Sequence, residues 1–312
     1  MKAFTIDSAG RPPTLSEDMR APTPAANEVL VRVHASSVNP VDNAIAAGML
    51  SGVVEHEFPV VLGRDYAGVI EQVGSSVTRY AAGQEVYGFI LHANPTVHEG
   101  SWSELLAVPE DKFIAHKPAG MALAAAGAAP LAGVTAMTAI DVLELSEGDT
   151  ALIIGATGGV GSFAVQLAAQ AGAMIIAPGL PEDDEYLRDL GASEPIDRNV
   201  GITAAVRERH PDGIDALLDL VSYTPDAFEV YAAALKAGGR GASPTGAAGQ
   251  SAGRTNVMAT PTQENLERLA RLLDAGDLKV PIQHTYDLAR AGEALQALGT
   301  AHTQGKLAIH IP

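Results

Sequence analysis

The sequence predicts an α/β chain in which a β-rich, irregular barrel-like part joins a doubly wound parallel sheet. Three observations carry this. Residues 150–177 read as a strand, a glycine turn, a helix and a second strand. Beyond Pro118, apolar runs alternate with helical segments, the pattern of parallel strands linked by crossover helices. Ahead of Pro118, short runs of period two are cut by glycine, as in a small barrel.

Taken in order, Val29, Val31 and Val33 alternate with Leu30 and Arg32, and residues 66–73 form a second strand closed by Gly74. Gly83 and Gly88 bracket Glu85-Val86-Tyr87, and 102–108 supplies one more strand. Tyr66 and Tyr87 fall inside these runs and are expected in the core. Residues 121–140 carry no charge over the length of a membrane span. They are mostly alanine and glycine, however, and Pro130 interrupts them. Alanine gains little by entering lipid, so closely packed helices are expected. Residues 150–154 are β-branched and aliphatic, as a strand buried on both faces requires. The turn that follows is Gly155-Ala156-Thr157-Gly158-Gly159-Val160-Gly161. Gly158 lacks the Cβ that would keep a pyrophosphate off the backbone, and Gly161 lets the helix lie close on its strand. The first N–H groups of that helix have no partner within it and attract negative charge. Val160, Ala164, Leu167, Ala168 and Ala171 line the face turned to the sheet. A glycine pattern alone is weak evidence, but between strand and helix it implies a bound dinucleotide. The alternation continues with a strand at 173–177, a helix at 182–189, a strand at 214–220 and a helix at 225–235. Residues 238–253, rich in Gly, Ala and Ser, read as a mobile loop. Leu266, Leu269, Leu272 and Leu273 predict a helix at 262–275, stopped by Gly276, and 279–285, 288–298 and 307–311 return to the first domain. The expected domains are thus 1–118 with 277–312, and 119–276.

The chain has 312 residues, with 20 Lys and Arg against 37 Asp and Glu, a formal charge of −17. That excess repels nucleic-acid backbones and anionic lipid, so neither is expected as a partner. There is no cysteine, which excludes disulfides, iron–sulfur clusters and thiolate zinc sites. The chain suits a reducing cytoplasm, and its first residues, MKAFTIDSAG, lack the apolar core of a signal peptide.

Several motifs remain: Asn39-Pro40-Val41-Asp42, Gly63-Arg64-Asp65-Tyr66-Ala67-Gly68, Thr135-Ala136, Asp219 at a strand end, and Gly305-Lys306. With the glycine turn, and in this order, they resemble the medium-chain dehydrogenase/reductase superfamily, in its zinc-independent quinone oxidoreductase branch. The resemblance covers nearly the whole chain. It implies a GroES-like catalytic domain, a Rossmann domain, a nicotinamide held in the cleft between them, and a homodimer or homotetramer. In the zinc-dependent relatives a cysteine stands where this chain has Asn39 and a histidine where it has Arg64. An amide is a poor ligand and a guanidinium has no lone pair to give, so no metal is expected. The residues 88–100 read as a short loop in place of the structural-zinc lobe, and His56, His92 and His98 lack a ligand set around them.

Without a Lewis acid, hydride transfer suits acceptors that are already electrophilic, quinones and α,β-unsaturated carbonyls. The protein must align the nicotinamide with the acceptor, exclude water and give the developing oxyanion a hydrogen bond. The resemblance places Asn39 near the nicotinamide ribose or the acceptor; the other reading is a loop-bracing residue before Pro40. Asp42 braces the loop or pairs with a cation. Arg64 either stabilises an oxyanion or pairs with Asp65 or Asp42. Thr135 borders the nicotinamide or packs a helix. The resemblance extends the cofactor contacts from Asn39, Thr135 and the turn residues 155–161 to Pro178, Val221, Thr245 and Lys306. Tyrosines common in the branch are replaced by Ala44 and Leu50, and an arginine by Ala46, so a more apolar pocket without the usual tyrosine proton donor is expected.

An acidic residue at the tip of the second strand would hold the ribose diol of NAD. Here the tip is Ala177-Pro178-Gly179, which favours NADPH over NADH. Glu182, Asp183 and Asp184 follow and would repel a 2′-phosphate unless they face away from it. Arg198 supplies a cation for that phosphate or is a plain surface arginine. The expected function is NADPH-dependent hydride transfer, without metal, to a quinone or an activated double bond. The alternatives are an enoyl-thioester or biosynthetic enoyl reductase with a larger substrate, and a non-catalytic NADPH-binding regulatory or structural protein.

Overall fold

The computed structural model describes residues 1–50, 57–91 and 100–312. His56, His92, His98 and most of the 88–100 segment lie outside the described residues. The chain divides into two compact units, Met1–Leu131 with Thr260–Gly276 and Ile282–Pro312, and Ala132–Ala259 with Asp277–Pro281.

In the first unit, β1 (Ala3–Ile6) pairs antiparallel with β2 (Thr14–Ser16) and β4 (Val60–Val61). A larger sheet runs in the order β15 (Ile282–Asp287), β16 (Lys306–His310), β3 (Glu28–Ser37), β5 (Asp65–Val73), β6 (Glu85–Phe89) and β8 (Ala115–His116), and β7 (Leu105–Pro109) also pairs with β3. The valines of β3 meet Tyr66, Ile70, Val86, Trp102 and Leu106 in one apolar core. Gly63 lies directly on Trp102: a Cβ there would come within 2.2 Å of the indole, and φ is +89°. The long ladder on β3 sets the register that matters for the site, since Ser37 faces Ala308 and Ala35 faces Ala67.

The second unit contains a parallel sheet in the order β11 (Glu194–Asp197), β10 (Met174–Gly179), β9 (Thr150–Ile154), β12 (Ile214–Asp219), β13 (Leu235–Ser243) and β14 (Arg254–Asn256). Helix α4 (Gly159–Gln170) follows β9 and is buried beyond the expected stripe, Phe163 and Val165 included. The sheet is the doubly wound one that the alternation predicts.

Of three sequence readings, the first holds and the other two differ in the structure. The 121–140 stretch is two helices, α2 (Leu123–Ala126) and α3 (Pro130–Leu143). Its small residues serve close packing: a Cβ at Gly127 would stand 2.7 Å from the backbone of Ala35. Among the described residues no helix is long and apolar enough to cross a membrane. The 238–253 stretch is not simply a loop, because β13 runs into it and Ala247 and Ala248 belong to the second core. Gly241 is small because Phe228 lies against it, 2.8 Å from where a Cβ would be. Finally, 119–131 and helix α8 (Gln263–Asp274) group with the first unit, whereas the sequence boundaries place them with the second. Tyr87 donates to the Leu266 carbonyl at 2.6 Å and Gly120 donates to Asp274 at 3.0 Å, which holds α8 on the β-rich unit.

Candidate active site

The carboxyl ends of the parallel strands form one candidate region. β9, β10 and β11 step outward in one direction, while β12 lies on the other side of β9. The winding reverses between β9 and β12, the switch point at which doubly wound sheets take ligands. Gly155 leaves β9 there with φ +82°, a conformation that side chains resist. A Cβ at Gly161 would come within 2.1 Å of the Gly155 carbonyl oxygen, so α4 can begin this close only with glycine. Gly158 is different. Its φ is −76°, and a Cβ there would meet only the Gly155 oxygen, at 3.5 Å. The protein's own packing therefore tolerates a methyl group at 158, and a phosphate seated on the start of α4 would not.

The other expected cofactor residues of this unit gather on the same edge. Ala156 and Thr157 are buried in the turn, and Gly159 and Val160 open α4. Val221 follows β12, its N–H on Asp219 Oδ1 at 2.9 Å, and Asp219 is fully buried. Thr245 follows β13, its hydroxyl donating to the Ser222 carbonyl. Pro178 lies near the end of β10, and the Arg198 N–H donates to the Gly179 carbonyl at 2.7 Å, which puts exposed Arg198 beside the strand tip. Asp183 is fully buried, its carboxylate accepting the Leu180 N–H at 2.7 Å. It closes the turn after β10 and is turned inward, while Glu182 and Asp184 are exposed. Thr135 lies in α3 and is buried.

The second region belongs to the β-rich unit, where the end of β3 meets the starts of β16 and β5. Both neighbours run antiparallel to β3, so this topology brings Ser37, Lys306 and Asp65 together from distant parts of the sequence. Asn39 follows as the residue preceding α1 (Pro40–Ala46), where Pro40 sits well at the first helical position. The Asn39 amide nitrogen donates to Asp65 Oδ2 at 2.8 Å, and its oxygen accepts from Lys306 Nζ at 2.7 Å. Ser37 Oγ donates to the same Asp65 oxygen at 2.5 Å, and Asp65 Oδ1 accepts the Leu131 N–H at 2.7 Å. Lys306 also donates to the Val38 carbonyl at 3.2 Å and stands 3.6 Å from Asp65. Asp42 Oδ2 accepts the Asn39 N–H at 2.8 Å, while its Oδ1 has no hydrogen-bond partner among the described residues.

All of these side chains are buried. Burial pushes the Asp42 carboxyl up to about 7, against the opposing pull of Arg64. Burial also lowers Lys306, opposed by the carboxylates of Asp65 and Asp42. Arg64 is buried, donates to the Val61 carbonyl at 3.3 Å and acts on Asp42 by its charge. Lys306, expected at the cofactor, spends its ammonium on protein groups. Ala46 and Leu50, expected to line a pocket, pack against the apolar core. Asp65, a motif residue to which sequence reasoning gave no site role, is the hub of the cluster. Its partners are far apart in the chain, so only strand register reveals them.

Asn39 and Arg64 offer a metal ion poor ligands. An amide shared between Lys306 and Asp65, beside a guanidinium, leaves no ligand pair, and no group of three or more His, Cys, Asp or Glu suited to a metal occurs among the described residues.

A glycine turn at the switch point of a parallel sheet, and a buried Asn–Asp–Lys cluster in a GroES-like sheet unit, define a dinucleotide-binding dehydrogenase architecture of two domains. Family models agree: residues 25–119 match the alcohol dehydrogenase GroES-like domain and residues 190–309 match the zinc-binding dehydrogenase model. The chain is 30% identical over 308 residues to a chloroplast envelope quinone oxidoreductase homolog of Arabidopsis thaliana, covering 92% of this chain and 91% of that protein. It is also 30% identical over 318 residues to an NADPH-dependent alkenal/one oxidoreductase, chloroplastic, of the same plant, covering 99% and 79%. Among solved structures it resembles the quinone oxidoreductase from Coxiella burnetii, with TM-score 0.89, 29% identity, and coverage of 100% and 99%. The chain belongs to the medium-chain dehydrogenase/reductase superfamily, where its relatives are quinone oxidoreductases and enone reductases.

Proposed function

We propose that this protein is an NADPH-dependent oxidoreductase that delivers hydride, without a metal, to a quinone or to the double bond of an α,β-unsaturated carbonyl. The observation that carries the reading is Gly158, a glycine that the fold does not need and a bound pyrophosphate would. The Arabidopsis relatives, one named for quinone chemistry and one for NADPH-dependent alkenal and enone chemistry, support the same assignment. In this reading the unit containing the parallel sheet is the dinucleotide-binding domain. The turn residues Gly155 to Gly161 hold the pyrophosphate, and Pro178, Val221 and Thr245 line the same strand ends. Arg198 pairs with the 2′-phosphate, a role made feasible by the inward turn of Asp183. A bound reduced nicotinamide supplies the hydride. Asn39 orients the cofactor's ribose or donates to the acceptor oxygen as charge develops there, and Thr135 borders the ring. Arg64 and Asp42 brace the Asn39 loop. Acceptors that spread the incoming charge to a distant oxygen need no Lewis acid, which fits a site whose residues do not suit one. Assembly as a homodimer or homotetramer is part of the proposal and is checked by light scattering.

The test pairs turnover with two glycine variants. Wild-type protein is expected to oxidise NADPH in the presence of a quinone or an enone, with NADH a poorer donor. Gly158→Ala should keep its unfolding midpoint within about 2 °C while NADPH binding weakens at least about tenfold. Gly161→Ala should lose about 1–3 kcal/mol of stability, because its methyl group collides with the turn. Unchanged NADPH affinity in Gly158→Ala would remove the main support. Tight NADPH binding without turnover would instead identify a non-catalytic binding protein.

A further inference from the structure

Asn39 is gripped by two groups of opposite character. Lys306 Nζ has only donors to offer and lies 2.7 Å from the amide oxygen. Asp65, as a carboxylate, has only acceptors and lies 2.8 Å from the amide nitrogen. A side-chain amide ordinarily permits either orientation about its last torsion. Here the reversed orientation would set an NH₂ group against an ammonium and a carbonyl against a carboxylate, two repulsive contacts within a buried cluster. The amide therefore has one orientation.

We infer that Lys306 is a positioning residue: with Asp65 it locks the Asn39 amide and leaves that amide's second N–H as a polarised donor for a ligand oxygen. Asp65 is the acceptor for Asn39 Nδ2 among the described residues, so one of its two hydrogens remains. A positive charge on the amide oxygen draws electron density from the nitrogen and strengthens the remaining N–H, the cooperative effect of linked hydrogen bonds. The ammonium thus acts on the reaction through Asn39 and does not meet the cofactor. The Val38 carbonyl and Asp65 fix the ammonium itself. The inference rests on the proposal that Asn39 meets cofactor or acceptor, and it explains why Gly305-Lys306, so remote in sequence, accompanies the Asn39-Pro40 motif.

The experiment combines kinetics with a signal from the ligand-free protein. Steady-state constants with NADPH and a quinone are measured for Asn39→Ala, Lys306→Met and the double variant. Each single variant should lose about tenfold or more in kcat/KM, in the same parameter, the worth of one charge-assisted hydrogen bond. The double variant should be no worse than Asn39→Ala alone. In the ligand-free protein, the Asn39 side-chain ¹⁵N–¹H pair, assigned by its loss in Asn39→Asp, should shift and exchange faster in Lys306→Met. Lys306→Gln, which restores a neutral donor, should recover part of both, and it serves as the test variant if Lys306→Met does not fold. An unmoved amide signal, wild-type kinetics in Lys306→Met, or losses that multiply in the double variant would overturn the inference. Full activity in Asn39→Ala would overturn the reading of Asn39 itself, a distinct outcome because the amide signal still reports whether Lys306 holds that side chain.

Discussion

Asp42 is a residue whose charge the fold controls. An ordinary aspartate titrates near 3.8, whereas burial raises Asp42 to about 7 despite Arg64 and Lys306, with Asp65 adding to the rise. Between those values the folded chain holds a proton that the unfolded chain has released. Stability from this group therefore falls as pH rises from about 4 to about 7, and is level above. At about 1.4 kcal/mol per pKa unit, the loss is on the order of 4 kcal/mol at most. Asp42→Asn keeps an oxygen for the Asn39 N–H and cannot titrate. Denaturant unfolding at pH 5 and pH 7.5 should therefore show a drop in the wild type that the variant lacks. Equal slopes in the two proteins would mean that Asp42 is already ionised at pH 5.

At the level of elements, α8 shows what the sequence makes legible. Its leucines at helical spacing and Gly276 beyond its end are local signals, and the structure gives Gln263–Asp274 with Leu266, Leu269 and Leu273 buried. Thr262 caps it, its hydroxyl accepting the Asn265 N–H at 3.2 Å. Thr262→Ala should cost about 1 kcal/mol in chemical denaturation, whereas a null effect would mean that the packing of Leu266 and Leu269 fixes the helix end unaided. Which unit α8 joins was not legible, because that depends on Tyr87 reaching the Leu266 carbonyl from far away in sequence. The candidate site divides in the same way. The glycine turn announces itself, since Gly155, Gly158 and Gly161 act within one strand–turn–helix. The Asn39 cluster does not, since Asp65 draws its partners from β3, β16 and the start of α3, and only their register joins them. Glycine also misleads: in 238–253, Gly241 marks close packing against Phe228, a tertiary cause that composition cannot separate from loop character.

For the molecule as a whole, the governing quantity is the formal charge of −17 on 312 residues. Two electrostatic effects oppose each other. Surface pairs such as Arg32–Glu71 and Arg290–Glu293 are favourable, but exposed pairs of this kind are screened by solvent and contribute little each. The uncompensated carboxylates repel over longer distances, and folding brings them closer together. At about 10 mM salt the screening length is roughly 30 Å, comparable to a domain, so the repulsion is felt across the surface. At about 150 mM it falls to roughly 8 Å, which removes most of the long-range repulsion while close pairs lose less. Added sodium chloride should therefore raise the unfolding midpoint, most steeply below about 150 mM, and the gain should level off once the screening length is shorter than the spacing between carboxylates. Thermal unfolding at pH 7.5 over that range measures the balance. A midpoint that falls with salt would show that the ion pairs outweigh the net charge, and would place the excess carboxylates far enough apart to be harmless.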